Sequence, residues 1–220
     1  MARDNNGSDS ARAIGRPSTD EATVGREALI EATCEMLKYL PPRKMTRAQV
    51  ARETGVHPSL IRYYFTNVHV LMIEAAKRFN QRYLDAVRSE TNENDPIETR
   101  FRVRVGALVD MIWEYPYYQR LIVEEMLESD HPEARALMER MVSRGIGSYG
   151  AIIKEGVTAG IWRPVDDKLF FTSIIALADF QLTASHLYHL PERPTPKISD
   201  NFRSKYKDHI CELLLDALRI

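Results

Sequence analysis

Ala51, Gly55, Val56 and Ile61 stand at spacings of four, one and five residues, the skeleton of two short helices joined by a tight turn. A small residue lets the second helix cross close to the first, and a glycine supplies the positive φ of the turn. Two branched apolar residues then lock the pair together. With Val56, Ile61 and Phe65 turned inward, Pro58, Ser59, Arg62 and Tyr63 face outward. That outer set offers a guanidinium for guanine or phosphate, a phenol and a hydroxyl, which is the chemistry that reads a DNA groove. The plainer alternative is an ordinary corner between two helices.

The charge around this motif favours a polyanionic partner. The chain has 220 residues, with 30 Lys+Arg against 31 Asp+Glu. From Arg43 to Arg82, however, eight basic residues face two acids, Glu53 and Glu74, a net of +6 that leaves −7 for the rest. Such asymmetry suits a nucleic-acid-facing segment joined to one that is not. Long helices also carry Lys and Arg for solubility alone, so the motif has to decide.

Other spacings suggest chemistry that their context does not support. Gly145, Gly147 and Gly150 have the glycine pattern of a dinucleotide loop, which needs a preceding strand and a helix N-terminus under the pyrophosphate. Both flanks here have helical periodicity, so the glycines point to close helix approach, a kink or a ligand gap. His186 and His189 have metal-compatible i, i+3 spacing, with Asp179 two turns earlier, but no third ligand is identifiable. Glu124, Glu125 and Glu128 form a solvated acidic face. There is no nucleophile elbow, Ser-Lys pair, His-Glu-x-x-His or P-loop. No catalytic residue, metal or cofactor is expected. Cys34 and Cys211, near opposite ends, exclude a disulfide framework and fit a reducing compartment. The longest mostly apolar run, 169–178, is too short to span a bilayer, and the opening MARDNNGSDS lacks a signal segment. A soluble, cytoplasmic protein without membrane contact is expected.

The elements that position the motif are helices throughout. Leu29, Thr33, Met36, Leu37 and Leu40 recur at helical spacing until Pro41-Pro42 stops them. Thr46 with Gln49 has capping-box form and opens a second helix, Gly55 ends it, and Pro58 lies in the first turn of a third. A long fourth helix follows over 68–88, then five helical patterns over 97–115, 117–128, 132–158, 166–190 and 202–218, punctuated by prolines. No strand alternation and no fixed-period repeat occurs, so the chain is expected to be all-α. Residues 1–20 read as a flexible arm. Gly15-Arg16-Pro17 within it has the form of a minor-groove arm, but Asp4, Asp9, Asp20 and Glu21 dilute its charge, and a silent tail is the favoured reading.

Residues 25–71 resemble the N-terminal domain of TetR-type (tetracycline-repressor family) transcriptional regulators. Thr46, Val50-Ala51, Thr54-Gly55-Val56, Ile61, Tyr64-Phe65, Asn67 and Leu71 fall in the family's register. The chain departs from the pattern with His57, Ser59-Leu60, Arg62 in place of a Tyr, and Val68 in place of a Lys. The family's Tyr and Lys at those last two positions commonly touch phosphates; Arg62 can substitute as a cation, and Val68 cannot. For His57 the roles are a helix cap, a phosphate contact or plain exposure, and plain exposure is the favoured one. The resemblance implies an all-α fold of about nine helices: a three-helix helix-turn-helix domain over 21–67, then a helical effector-binding and dimerisation domain over 68–220. It also implies a homodimeric repressor on palindromic double-stranded operator DNA, released from it by a small molecule. The DNA-facing candidates are Thr46, Arg47, Pro58, Ser59, Leu60, Arg62, Tyr63 and Tyr64. Arg62 and Tyr63 would read bases, while Thr46, Arg47 and Tyr64 anchor phosphates.

In the second domain the resemblance assigns dimerisation mainly to the last two helices. The apolar stripe of Tyr206, Ile210, Leu213, Leu214 and Ala217 fits pairing, and burial within one subunit predicts the same stripe. Aromatic residues crowd 111–118, with Trp162, Phe170, Phe171 and Phe180 beyond them. Core filling is the plainer role for most of these; as ligand contacts, Trp113 and Tyr117 are the aromatic candidates and Gln181, Thr183 and His186 the polar ones. Two function classes follow. One is a ligand-responsive homodimeric DNA-binding regulator. The other is an all-α small-molecule binding protein or enzyme whose helix-turn-helix is incidental. Salt-sensitive DNA binding separates them.

Overall fold

A computed structural model describes residues 19–188 and 200–220, with side chains from 25 to 180 and from 201 onward. The arm with Gly15-Arg16-Pro17, and His189 of the histidine pair, lie outside the described residues, as do the side chains of Gln181, Thr183 and His186.

The described residues are helical, with no strand among them and a single isolated bridge between Trp162 and Arg219. The first helix, α1 (Thr19–Met36), ends four residues before Leu40, and Pro42–Lys44 forms a 3-10 turn. Leu37 N–H bonds Cys34 O at 3.1 Å, tightening the chain one turn ahead of the prolines. In α2 (Arg47–Thr54), the Thr46 hydroxyl accepts from Gln49 N–H at 3.2 Å, the expected cap. Gly55 then adopts φ 67°, ψ 15°, which only glycine takes without strain, and turns the chain into α3 (Pro58–Tyr64). Asn67 caps the long α4 (Val68–Glu90), its Oδ1 accepting from Val70 N–H at 2.9 Å.

After α5 (Ile97–Glu114) the structure departs from expectation. The single helix expected over 117–128 is a short α6 (Tyr118–Leu121) that widens into a π-helical turn (Ile122–Leu127). Its Glu128 N–H bonds Val123 O at 3.0 Å, five residues back. The extra residue per turn keeps Ile122 and Met126 buried while placing Glu124 against the Pro42–Lys44 turn and Glu125 against the start of α4.

The remaining helices are α7 (Pro132–Thr158), α8 (Asp167–Tyr188) and α9 (Asp200–Leu218). The three glycines lie inside α7, where a nucleotide loop has no place. A Cβ on Gly145 would stand 2.5 Å from Phe171 Cζ, and one on Gly150 2.7 Å from Asp167 Oδ2, so two of them let α8 approach closely. Gly147 has no neighbour that would explain it.

One continuous core runs through the molecule, from Leu29, Ile30 and Ile61 through Phe79 to Phe101 and Trp162. Helix α1 packs on α4, and α4 on α5, so the helix-turn-helix is joined to the body along a shared seam. Ion pairs line that seam: Arg26 meets Glu74 at 2.6 Å, Arg78 meets Glu27 and Glu31, and Arg82 meets Glu31. The stripe of α9 is mostly internal. Leu214 is 3% exposed and packs within its own subunit, whereas Leu213 is 48% exposed.

Candidate DNA-reading face and effector cavity

Ile61 and Phe65 are fully buried and Val56 is half-buried against the core, which fixes the roll of α3. Pro58, Ser59, Arg62 and Tyr63 consequently point to solvent, with Leu60 half-buried at the edge. Neither Arg62 nor Arg47 has a carboxylate partner among the described residues, so both cations are available. Thr46 and Arg47 are exposed at the start of α2, while Tyr64 is half-buried. Its hydroxyl would meet a Cβ on Gly25 at 2.9 Å, so Tyr64 lies against α1 and stacks edge-on with Tyr63, centroids 4.9 Å apart. His57 is more than exposed: it caps α3, its Nδ1 accepting from Ser59 N–H at 3.3 Å and lying 2.7 Å from Ser59 Oγ.

The basic window looks different once folded. Lys77 bonds Glu74 at 2.6 Å and Glu133 at 2.5 Å, and Arg78 and Arg82 are spent on α1. Burial works against the charge of Glu74, yet the hydrogen bonds from Lys77 and Arg26 hold its carboxyl below the usual range. The positive charge without a carboxylate partner among the described residues is therefore concentrated on Lys44, Arg47, Arg52 and Arg62.

A cavity of about 550 Å³ lies between α4, α5, α6, the π-helical turn, α7 and α8. Met111, Met138, Met141, Tyr118, Tyr149 and Phe171 supply most of its character, with Asn80, Gln119, Lys168 and Asp179 as polar points. Tyr83 and Tyr149 bring their hydroxyls within 3.4 Å of each other, and burial raises the proton affinity of both.

The π-helical turn lines the cavity and also contacts residues that flank the reading face. Ile122, Val123 and Leu127 line the cavity. From the same turn, Glu124 meets Arg43 at 3.3 Å, and Glu125 Oε2 lies 2.7 Å from Nδ1 of His69 in the first turn of α4. The other nitrogen of His69 lies 2.9 Å from Ser129 Oγ, just ahead of α7.

Residues 94–219 match the family model described as tetracyclin repressor-like, C-terminal domain. The chain belongs to the tetracycline repressor-like family. This match covers the body that the helix-turn-helix resemblance left untouched, so both parts of the chain point to one family of transcriptional regulators. The fold agrees. A tetR-family regulatory protein from Rhodococcus RHA1 superposes with a TM-score of 0.68 at 16% identity, over 89% of this chain and 97% of that one. A transcriptional regulator from Saccharomonospora viridis, solved in complex with choline, gives 0.67 at 17% identity, over 90% and 99%. The fatty acid degradation regulator of Bacillus halodurans gives 0.65 at 16%, over 91% and 97%. Among curated proteins no sequence matches the chain. No described helix of this tetracycline repressor-like chain is long and apolar enough to cross a membrane.

Of the candidate ligand contacts, Trp113 and Tyr117 are used elsewhere. Trp113 stacks on Tyr206 at 5.2 Å, and its indole N–H donates to Ala178 O at 3.3 Å, closing the seam of α5, α8 and α9. The Tyr117 ring carries Arg120 at 5.9 Å, while its N–H bonds Leu37 O. Neither lines the cavity. Gln181, Thr183 and His186 follow Asp179 on α8, and their side chains lie outside the described residues. Sequence reasoning missed Met138, Met141 and the π-helical turn. The one available signal was the glycine trio of α7, since Gly145 itself lines the cavity opposite Phe171.

Proposed function

We propose that the chain is a homodimeric transcriptional repressor that binds palindromic operator DNA and releases it when a small molecule occupies the cavity of the C-terminal helices. Residues 21–67 act as the reading head and residues 68–220 as the effector and dimerisation part. Arg62 and Tyr63 address bases, with Pro58, Ser59 and Leu60 shaping the approach. Thr46, Arg47 and Tyr64 hold phosphates.

The observation that carries this reading is the π-helical turn, whose apolar residues line the cavity while Glu124 holds Arg43 of the head and Glu125 holds His69 at the start of α4, two residues beyond the head. A ligand shifts an equilibrium only by its differential affinity for two states. One that displaces Ile122 or Leu127 strains those two contacts and thereby changes the angle at which α3 is presented. Dimerisation is supported by apolar groups left exposed on α8 and α9: Leu169 at 71%, Phe180 at 59% and Leu213 at 48%. A cavity of this size and apolarity also agrees with relatives described as a choline complex and a fatty acid degradation regulator.

Footprinting across the DNA upstream of the chain's own gene tests the proposal. A protected palindrome whose occupancy falls with salt is expected. Absence of any salt-sensitive DNA binding would leave the alternative, an all-α binding protein with an incidental helix-turn-helix.

A further inference from the structure

Two charged residues, Lys168 and Asp179, stand on the cavity wall among the described residues. They are eleven positions apart on α8, three turns along one face, and so some 16 Å from each other along the helix axis. Their surroundings are unlike. Lys168 is exposed, and water already solvates its charge. Asp179 is half-buried, and among the described residues neither a hydrogen-bond donor nor a cation meets its carboxyl. Burial alone accounts for its raised proton affinity, with no positive group opposing the shift.

A half-buried carboxylate without a partner lacks the pairing that charge in a low-dielectric site needs, and a cationic ligand would supply it. The wall suits that cation. Tyr118 and Phe171 put aromatic rings, whose π-electrons attract positive charge, on the wall, and the thioethers of Met111, Met138 and Met141 adapt to an irregular apolar body. An anionic ligand would find the opposite: its one cation on the wall is already hydrated, and Asp179 would repel it. Arg104, beside the Tyr83 and Tyr149 hydroxyls, is not part of the wall.

Resting on the reading of this cavity as the effector site, we infer that its ligand is a lipophilic organic amine, with the ammonium group paired to Asp179 and the apolar body lying among Met138, Met141 and Phe171. Neutral and acidic compounds of the same shape bind less well.

The test is calorimetric titration of the intact protein at neutral pH, without DNA, using phenylbutylamine and octylamine beside the alcohol and carboxylate of each skeleton. The amines are expected to bind about tenfold tighter than the alcohols, and the carboxylates weakest. In Asp179→Asn the amine preference should vanish while alcohol affinity holds, with circular dichroism and thermal unfolding confirming that the variant folds. Amine and alcohol binding equally well, or a preference that survives Asp179→Asn, overturns the assignment of Asp179 but leaves the cavity standing as an effector site. Failure of all these compounds to bind overturns both.

Discussion

Arg47→Ala and Lys77→Ala each remove one cation from the basic window, yet they should behave differently on DNA. Arg47 is exposed with no carboxylate partner among the described residues, whereas Lys77 is held by Glu74 at 2.6 Å and Glu133 at 2.5 Å. A free cation that meets a phosphate releases a condensed counterion, and each such contact contributes about 0.9 to the salt slope on duplex DNA. Two heads in a dimer lose two contacts, so Arg47→Ala should flatten the slope of log K against log salt by about 1.8. Between 50 and 200 mM salt that difference amounts to a factor of about twelve in how much affinity is lost. Lys77→Ala removes a charge that is already neutralised internally. It should leave the slope unchanged and lower stability by roughly 1 kcal/mol or less, as expected for partly exposed pairs. Fluorescence anisotropy on a random-sequence duplex across a salt series measures both slopes, and circular dichroism checks the fold. Equal flattening by the two variants, or none from Arg47→Ala, would refute the division into free and paired cations.

Three further outcomes are expected. Leu213→Glu should split the dimer in sedimentation with its helices intact, whereas Leu214→Glu should unfold the subunit, because Leu214 is 3% exposed and an unpaired carboxylate there costs several kcal/mol (about 2–5). Glu125→Gln, which weakens the charge on the contact to His69, should leave ligand affinity within about twofold yet reduce ligand-driven release of DNA, read by titrating ligand with and without operator; undiminished release would remove the π-helical turn from the pathway. Burial pushes the thiols of Cys34 up to about 12 and Cys211 up to about 11, from an ordinary 9.0. The unfolded chain therefore loses these protons first, and stability should fall as pH rises from about 9 toward 11. Replacing Cys34 with Ala should flatten that alkaline decline in chemical denaturation, and an unchanged pH profile would contradict it.

The parts of this regulator that could be read along the chain are those set by neighbours a few residues away. The Thr46 cap, the Gly55 turn and Pro58 in the first turn of α3 each depend on a bond or a φ within four residues, and all three occur as the sequence implies. The inward roll of Ile61 and Phe65 follows from the same local period, and so does the outward set of Arg62 and Tyr63. What the tertiary structure decided depends on partners far away in sequence. Arg78 and Arg82 count as basic residues along the chain, but α1 and its glutamates, some fifty positions earlier, neutralise them. Leu213 and Leu214 are equally apolar neighbours, and only the packing of α9 on α5 sends one outward and the other into the core. The cavity belongs to this second kind. Met111, Tyr118, Met138 and Phe171 come from four different helices, and Trp113, equally aromatic, is turned away by its bond to Ala178 O. Caps and turns are written in short-range bonds, whereas free charge, exposed apolar faces and empty volume exist only after distant helices have taken their share of each surface.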